Sequence, residues 1–313
     1  MSDAPVILLC PGQGAQLPGM GKAWAESSAA AAAVFQRADD VLGLSLSKVC
    51  FEGPQDQLNR TDIAQAALYV TAVASFRGLC EAGAIDPSRV VAAAGLSLGE
   101  FTALHLAGAF DFETGLKLVR LRGQAMQAAA DAVPGGSGMV ALVGAEEARA
   151  EELCEKARGG QVLVCANFNC PGQVVLSGHR AACERALKEA DSMGLRATAL
   201  QVAGAFHSPL MQPAADRLAE ALRAVKWQRL SMLVVSNVTA RPHEASDSSS
   251  VSRLLVEQLT RPVRWAQSMA WLTKENPGRY VELAPNKVLS GLMRRIDRGV
   301  RVETGDAPHV ARA

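Results

Sequence analysis

A short apolar run that enters a glycine-bounded turn and leaves it as a helix constrains this chain more than any other feature. Val90 to Ala94 has the character of a buried strand, Gly95-Leu96-Ser97-Leu98-Gly99 follows, and Leu98 to Phe110 carries helical spacing. The chain opens the same way, with Val6 to Cys10 ending at Pro11-Gly12-Gln13-Gly14. Apolar runs without alternation suit strands buried on both faces, and such strands lie in parallel sheets covered by helices. Asp62 to Ala84 and Asp111 to Val133 read as long helices, the second with Asp111 placed to cap its start. Strand followed by helix, repeated, predicts an α/β fold with a parallel sheet.

The middle of the chain keeps another rhythm. Gly138 to Gly144, Val162 to Asn167, Gln173 to Ser177 and Ala197 to Val202 read as strands, and Glu146 to Arg158 and Arg180 to Gly194 as helices. The order βαββαβ is the ferredoxin-like pattern, so residues 135–202 are expected to form a small subdomain inserted in a larger one made of 1–134 and 203–313. Beyond the insert, Leu230 to Ser236 and Tyr280 to Leu283 return to strand character, and His243 to Ser252 reads as a polar, Ser-rich stretch.

Composition narrows the function classes. The chain has 313 residues, 49% hydrophobic and 20% charged, which suits one large globular unit with an insert. A formal charge of +1 gives no general attraction to nucleic acid or anionic membranes. The seven cysteines are scattered without a CxxC pair, as expected of reduced thiols in a cytoplasmic protein. No uninterrupted apolar stretch approaches the ~20 residues of a membrane span, and the start does not read as a signal peptide. No His, Cys and carboxylate cluster has ligand spacing, so no metal is expected.

The turn at 95–99 matches G-x-S-x-G, a weak string by itself but one that here joins strand to helix, where it would expose the Ser97 hydroxyl. The alternative is a Gly-Ser corner with no chemistry. A serine nucleophile needs a base. Of the five histidines, His309 is in the tail, His243 in the polar stretch, His179 at a helix start expected to be solvated, and His105 on the helix after Ser97. His207, between a predicted strand and Pro209, is the best candidate. Arg122 lies in an apolar stripe with Leu118, Val119 and Met126, so its burial must be compensated. Either a distant carboxylate pairs with it, or its fork receives a ligand carboxylate and implies an acidic acyl substrate.

Taken together, these residues resemble the malonyl-coenzyme A:acyl carrier protein transacylase family from Pro11 to about Ile296. The resemblance includes Gly12 to Gln16, the Ser elbow followed by Glu100, Arg122-Gly123, Asn167-Phe168-Asn169, Ala205 to Ser208, Gln258-Leu259 and Lys287 to Leu289. It implies an α/β-hydrolase-like core with a ferredoxin-like insert, and transfer of malonyl from malonyl-CoA to the phosphopantetheine thiol of acyl carrier protein. It implies Ser97 as nucleophile, His207 as base, the Gln13 and Leu98 amides as oxyanion hole, and Arg122 on the malonyl carboxylate. Asn167 and Phe206 would contact substrate, and the Gln258 carbonyl would orient the imidazole in place of an acidic residue. No bound cofactor and a monomer are expected. The chain departs from the family at Leu96, where His is usual, and at Asn286, where the C-terminal motif usually has Gly. A serine hydrolase and a non-catalytic carrier-binding subunit are the alternatives; Arg294, Arg295, Arg298 and Arg301 could form a basic docking face or a solvated helix end.

Overall fold

The computed structural model describes residues 4–308. Among the described residues nine strands lie in two sheets: β1 (Val6–Cys10), β2 (Val90–Gly95), β3 (Ser137–Val143), β4 (Leu163–Cys170), β5 (Gln173–His179), β6 (Arg196–Ala199), β7 (Leu233–Val235), β8 (Arg279–Leu283) and β9 (Val302–Gly305). The first sheet runs β7-β2-β1-β8-β9 with every pairing parallel. Its central strand β1 is buried along its whole length, as its unbroken run of apolar residues requires. The fold class is α/β with a parallel sheet.

Helix Thr61–Glu81 is long and apolar enough to cross a membrane, yet 89% of its most apolar window is buried inside the protein. It escaped the expectation of no such stretch because its hydrophobicity is an average interrupted by polar residues. Asp111 caps helix Phe112–Asp131 as expected, its carboxylate accepting from Thr114 N at 2.7 Å. The helix after Ser97 stops at Leu106 rather than Phe110, because the chain turns at Gly108 with φ 81°. The polar stretch from His243 turns at residue 248 into helix Ser248–Glu257, started by the Asp247 side chain on Ser250 N.

The second sheet has the order β4-β5-β3-β6, antiparallel throughout, with helices Glu147–Arg158 and Arg180–Ser192 following β3 and β5. Strand and helix thus follow one another as βαββαβ. This sheet packs its helices around a separate apolar cluster that includes Leu142, Leu153, Leu163 and Leu176. It is tied to the rest of the chain beside β4, where Phe168 N donates to Val263 O at 2.9 Å and Val263 N to Ala166 O at 2.8 Å. That tie sets Asn167 close to the segment that follows Gln258.

Candidate active site

Ser97 sits between the end of β2 and helix Leu98–Leu106 in a strained conformation, φ 53° and ψ −104°. The turn can be this tight only because glycines stand where its backbone segments touch. A Cβ on Gly95 would lie 1.8 Å from the Gly99 carbonyl carbon, and one on Gly99 would lie 2.1 Å from Cys10 O. A Cβ on Gly12 would meet Leu96 O at 2.2 Å, so the first turn is pressed against the elbow. Strain of this kind collects at functional sites and persists only where the surroundings hold it. Here Asn237 Oδ1 accepts from Ser97 N at 2.6 Å, and Gln258 Nε2 donates to Ser97 O at 3.0 Å.

His207 reaches the serine from the other side of the cleft, Oγ to Nε2 2.8 Å. Its Nδ1 lies 2.7 Å from the Gln258 carbonyl oxygen, which can only accept. The proton is therefore on Nδ1, and Nε2 is left as the acceptor for the Ser97 hydroxyl. Burial first, and then the Arg122 charge, push the imidazole down from its ordinary value to about 4, while the Gln258 carbonyl pulls the other way. Two residues past His207 stands Pro209. It opens the short helix Pro209–Met211 and runs on into Gln212–Arg223, where a missing N–H and a fixed φ fit a first helical position.

Arg122 is 1% exposed. Its guanidinium donates to Gln65 Oε1 at 2.8 Å, Gln258 Oε1 at 2.9 Å and Ser97 Oγ at 3.1 Å, and it lies over the Phe101 ring at 5.5 Å. Among the described residues no carboxylate forms an ion pair with it, and its Nε has no partner. Burial lowers the group to about 10 against the pull of the Glu100 charge, so it stays a cation at neutral pH. Of the two readings of Arg122 left open by the sequence, a direct structural ion pair is not what holds it.

Gln13, Ser97, Asn167, Phe206 and His207 line one cleft of about 500 Å³. Gln13 comes from the turn after β1, and Asn167 from β4, so the two sheets supply opposite walls. Leu98 contributes the first N–H of its helix, which the helix itself leaves unpaired, and no hydrogen bond engages the Gln13 amide among the described residues. A second cavity of about 480 Å³, lined by Glu151, Cys154, Cys165 and Arg264 among others, contains no paired nucleophile and base. Among the described residues no group of three or more His, Cys, Asp or Glu is arranged to hold a metal ion.

The other histidines settle elsewhere. His105 is half-buried against Tyr69 and Phe112 with Nδ1 3.1 Å from Phe110 O. His179 is half-buried rather than solvated, its Nδ1 accepting from Val162 N at 3.1 Å. His243 is not in an exposed loop: it is 5% exposed, with Nε2 2.7 Å from Glu100 Oε1. His309 lies outside the described residues. Arg294, Arg295, Arg298 and Arg301 are all exposed.

Sequence reasoning missed the layer behind the serine. Glu100 is fully buried; its Oε2 accepts from Gln258 Nε2 at 2.7 Å and from Asn237 N at 3.1 Å. Asn237 also donates from Nδ2 to Gly95 O at 2.7 Å. The signal for Glu100 was present, since it is the only charged side chain in an otherwise apolar helix start, the same logic that singled out Arg122. Asn237 could have been sought just past β7, because polar groups at strand ends gather at the crevice of an open parallel sheet.

Known proteins resemble this chain along nearly its whole length. The acyl transferase domain family matches residues 7–307. A malonyl CoA-acyl carrier protein transacylase of Bacillus subtilis (strain 168) is 39% identical over 299 residues, 95% of this chain and 92% of its own. The crystal structure of an acyl-carrier-protein-S-malonyltransferase from Bartonella henselae superposes with a TM-score of 0.93 at 39% identity, covering 98% of this chain and 97% of that one. A malonyl-transacylase solved in complex with its type II polyketide acyl-carrier protein gives 0.92 at 34% identity, covering 98% and 97%. With a family match that runs nearly end to end, the chain belongs to the acyl transferase family and is an acyltransferase.

Proposed function

We propose that this acyltransferase moves the malonyl group from malonyl-CoA to the phosphopantetheine thiol of an acyl carrier protein, through a malonyl ester on Ser97. The observation that carries the reading is Arg122: a buried cation held by two neutral amides and the Ser97 hydroxyl, with no carboxylate among the described residues paired to it. A guanidinium so placed suits an acyl chain ending in a carboxylate, which it grips bidentately. The names of the relatives point to the same donor and acceptor.

In this reading the reaction is ping-pong. His207 Nε2 takes the hydroxyl proton as Ser97 Oγ attacks the thioester carbonyl. The tetrahedral oxyanion rests on the Gln13 and Leu98 amides, aimed in advance at the developing charge. The C–S bond breaks, coenzyme A leaves as a thiol with the proton from His207, and the malonyl ester remains. The carrier thiol then gives its proton to His207, attacks the ester carbonyl and leaves as malonyl thioester, restoring the Ser97 hydroxyl. The Gln258 carbonyl takes the orienting place that an aspartate holds in a Ser-His-Asp triad. Asn167 and Phe206 wall the acyl pocket. No resident cofactor enters these steps.

The same reading makes the parallel sheet an α/β-hydrolase-like core of residues 1–134 and 203–313, and residues 135–202 a ferredoxin-like insert; the sheet order β4-β5-β3-β6 favours it. It places the protein in the cytoplasm as a monomer serving fatty-acid or polyketide synthesis. The exposed arginines of 294–301 form the basic face offered to an acidic carrier. Intact-protein mass after brief exposure to malonyl-CoA tests it. A malonyl-sized gain, absent from Ser97→Ala and discharged by holo carrier protein, is the expected result. Steady release of coenzyme A without an adduct would instead mark a hydrolase.

A further inference from the structure

Resting on the roles just given to Ser97, His207 and Arg122, we infer that Glu100 and His243 form a buried positioning pair that holds Gln258 and Asn237, and through them sets the nucleophile, the base and the cation in register. The Glu100 carboxylate is shared three ways, on His243 Nε2 at 2.7 Å, Gln258 Nε2 at 2.7 Å and Asn237 N at 3.1 Å. Both neighbours then clamp the Ser97 peptide, Asn237 Oδ1 on its N–H and Gln258 Nε2 on its carbonyl. This is the strained peptide at φ 53°. Among the described residues no other side chain hydrogen-bonds to the Ser97 N–H or to its carbonyl.

Gln258 is the junction. Its backbone oxygen orients His207 Nδ1, and its side-chain oxygen accepts from Arg122 Nη2. Its amide nitrogen is the group that Glu100 holds, which fixes which way the amide points. Were the amide to turn over, its NH2 would face the guanidinium and its oxygen would face the carboxylate, two repulsive contacts in a dry site. Glu100 therefore acts on Arg122 without neutralising it. The amide stands between the opposite charges, and the guanidinium keeps its capacity for a ligand. His243 completes the arrangement by occupying the remaining carboxylate oxygen, which keeps Oε2 turned toward Gln258 and Asn237.

Glu100 and His243 touch no reacting atom, so the test must separate positioning from mere support. The probe is a serine-directed fluorophosphonate, which needs Ser97 and His207 but no malonyl group. Failure of the malonyl reading would leave Ser97 labelling intact in the wild type, and this test would still decide. Glu100→Gln keeps the volume and loses the charge. Its labelling rate is expected to fall by about a hundredfold, the scale of a misplaced reacting group, while the far-ultraviolet circular dichroism is unchanged. In a Gln258→Ala background the same substitution should have a smaller further effect, because only the route through Asn237 remains. If Glu100→Gln does not fold, His243→Ala and His243→Gln decide: the first should slow labelling, and the second, which restores a donor nitrogen, should recover most of it. Wild-type labelling in the folded variants, or equal losses with and without the Gln258 side chain, would overturn the proposal.

Discussion

In the proposed mechanism His207 is the base and must be neutral when the substrate arrives, and burial and the guanidinium next to it keep it so. The acid limb of kcat/KM should accordingly fall with an apparent pKa near 4 rather than near the ordinary 6.5. Circular dichroism at each pH would separate this from unfolding. A limb near 6.5 in folded protein would mean that the imbalance of charge around the imidazole is not as described. The same shift acts on stability with a definite sign. Between 6.5 and about 4 the unfolded chain binds a proton that the folded chain does not, so stability falls as pH drops through that window and levels below it. Arg122→Ala should lower malonyl transfer by at least about thirtyfold in kcat/KM, the scale of a truncated buried charge partner. Acetyl transfer, measured alongside, should lose far less. Arg122→Lys should not restore malonyl transfer, since one ammonium cannot reproduce the planar fork. Ser97, His207 and Arg122 were legible because each is chemically rare in its setting. The partners of Glu100 were not, because its contacts with Asn237 and His243 span 137 and 143 residues of sequence. The polarity of the residues after His243 says nothing about a side chain pinned under a helix.

The strand-to-helix elbow is the element on which the site depends, and its tolerance to change can be stated from contacts. Gly95→Ala would drive a methyl to within 1.8 Å of the Gly99 carbonyl carbon, which the backbone must move to avoid. Overpacking of this kind costs about 1–3 kcal/mol or more. The variant should melt lower and lose Ser97 labelling beyond what its folded fraction explains. Gly291, inside helix Val288–Ile296, is the contrasting case, with nothing within 4 Å of an added Cβ. Gly291→Ala should raise stability by about 0.5–1 kcal/mol, as removal of a mid-helix glycine does. A denaturant midpoint for each variant checks both. Elements like the elbow were readable because apolar runs and glycines mark them. Strand β9 was not: Val302-Glu303-Thr304-Gly305 has no apolar run, and a strand at the edge of a sheet needs only backbone bonds to form. Strand and helix ends moved by several residues for a similar reason, since tertiary contacts decide where an element stops.

At the scale of the molecule, two sheets of different pattern meet at one cleft, and the sequence announced both rhythms but not their meeting. The tie between Phe168 and Val263 joins the edge strand of one sheet to the chain just past Gln258, and no periodicity encodes such a pairing. It fixes the wall that carries Asn167 against the wall that carries Ser97. The buried guanidinium at this meeting point has a thermodynamic consequence for the chain as a whole. A cation surrounded by neutral dipoles raises the free energy of the folded protein, and an anion that reaches it lowers that free energy by mass action. Malonyl-CoA should therefore raise the melting temperature of the Ser97→Ala protein, by the equivalent of about 2.7 kcal/mol at a hundred times its dissociation constant. Acetyl-CoA at the same concentration should raise it less, and in Arg122→Ala the difference between the two should vanish. The lifetime of the fold then becomes a gauge of its own supply: a chain well provided with its acidic acyl donor outlasts one that is starved of it.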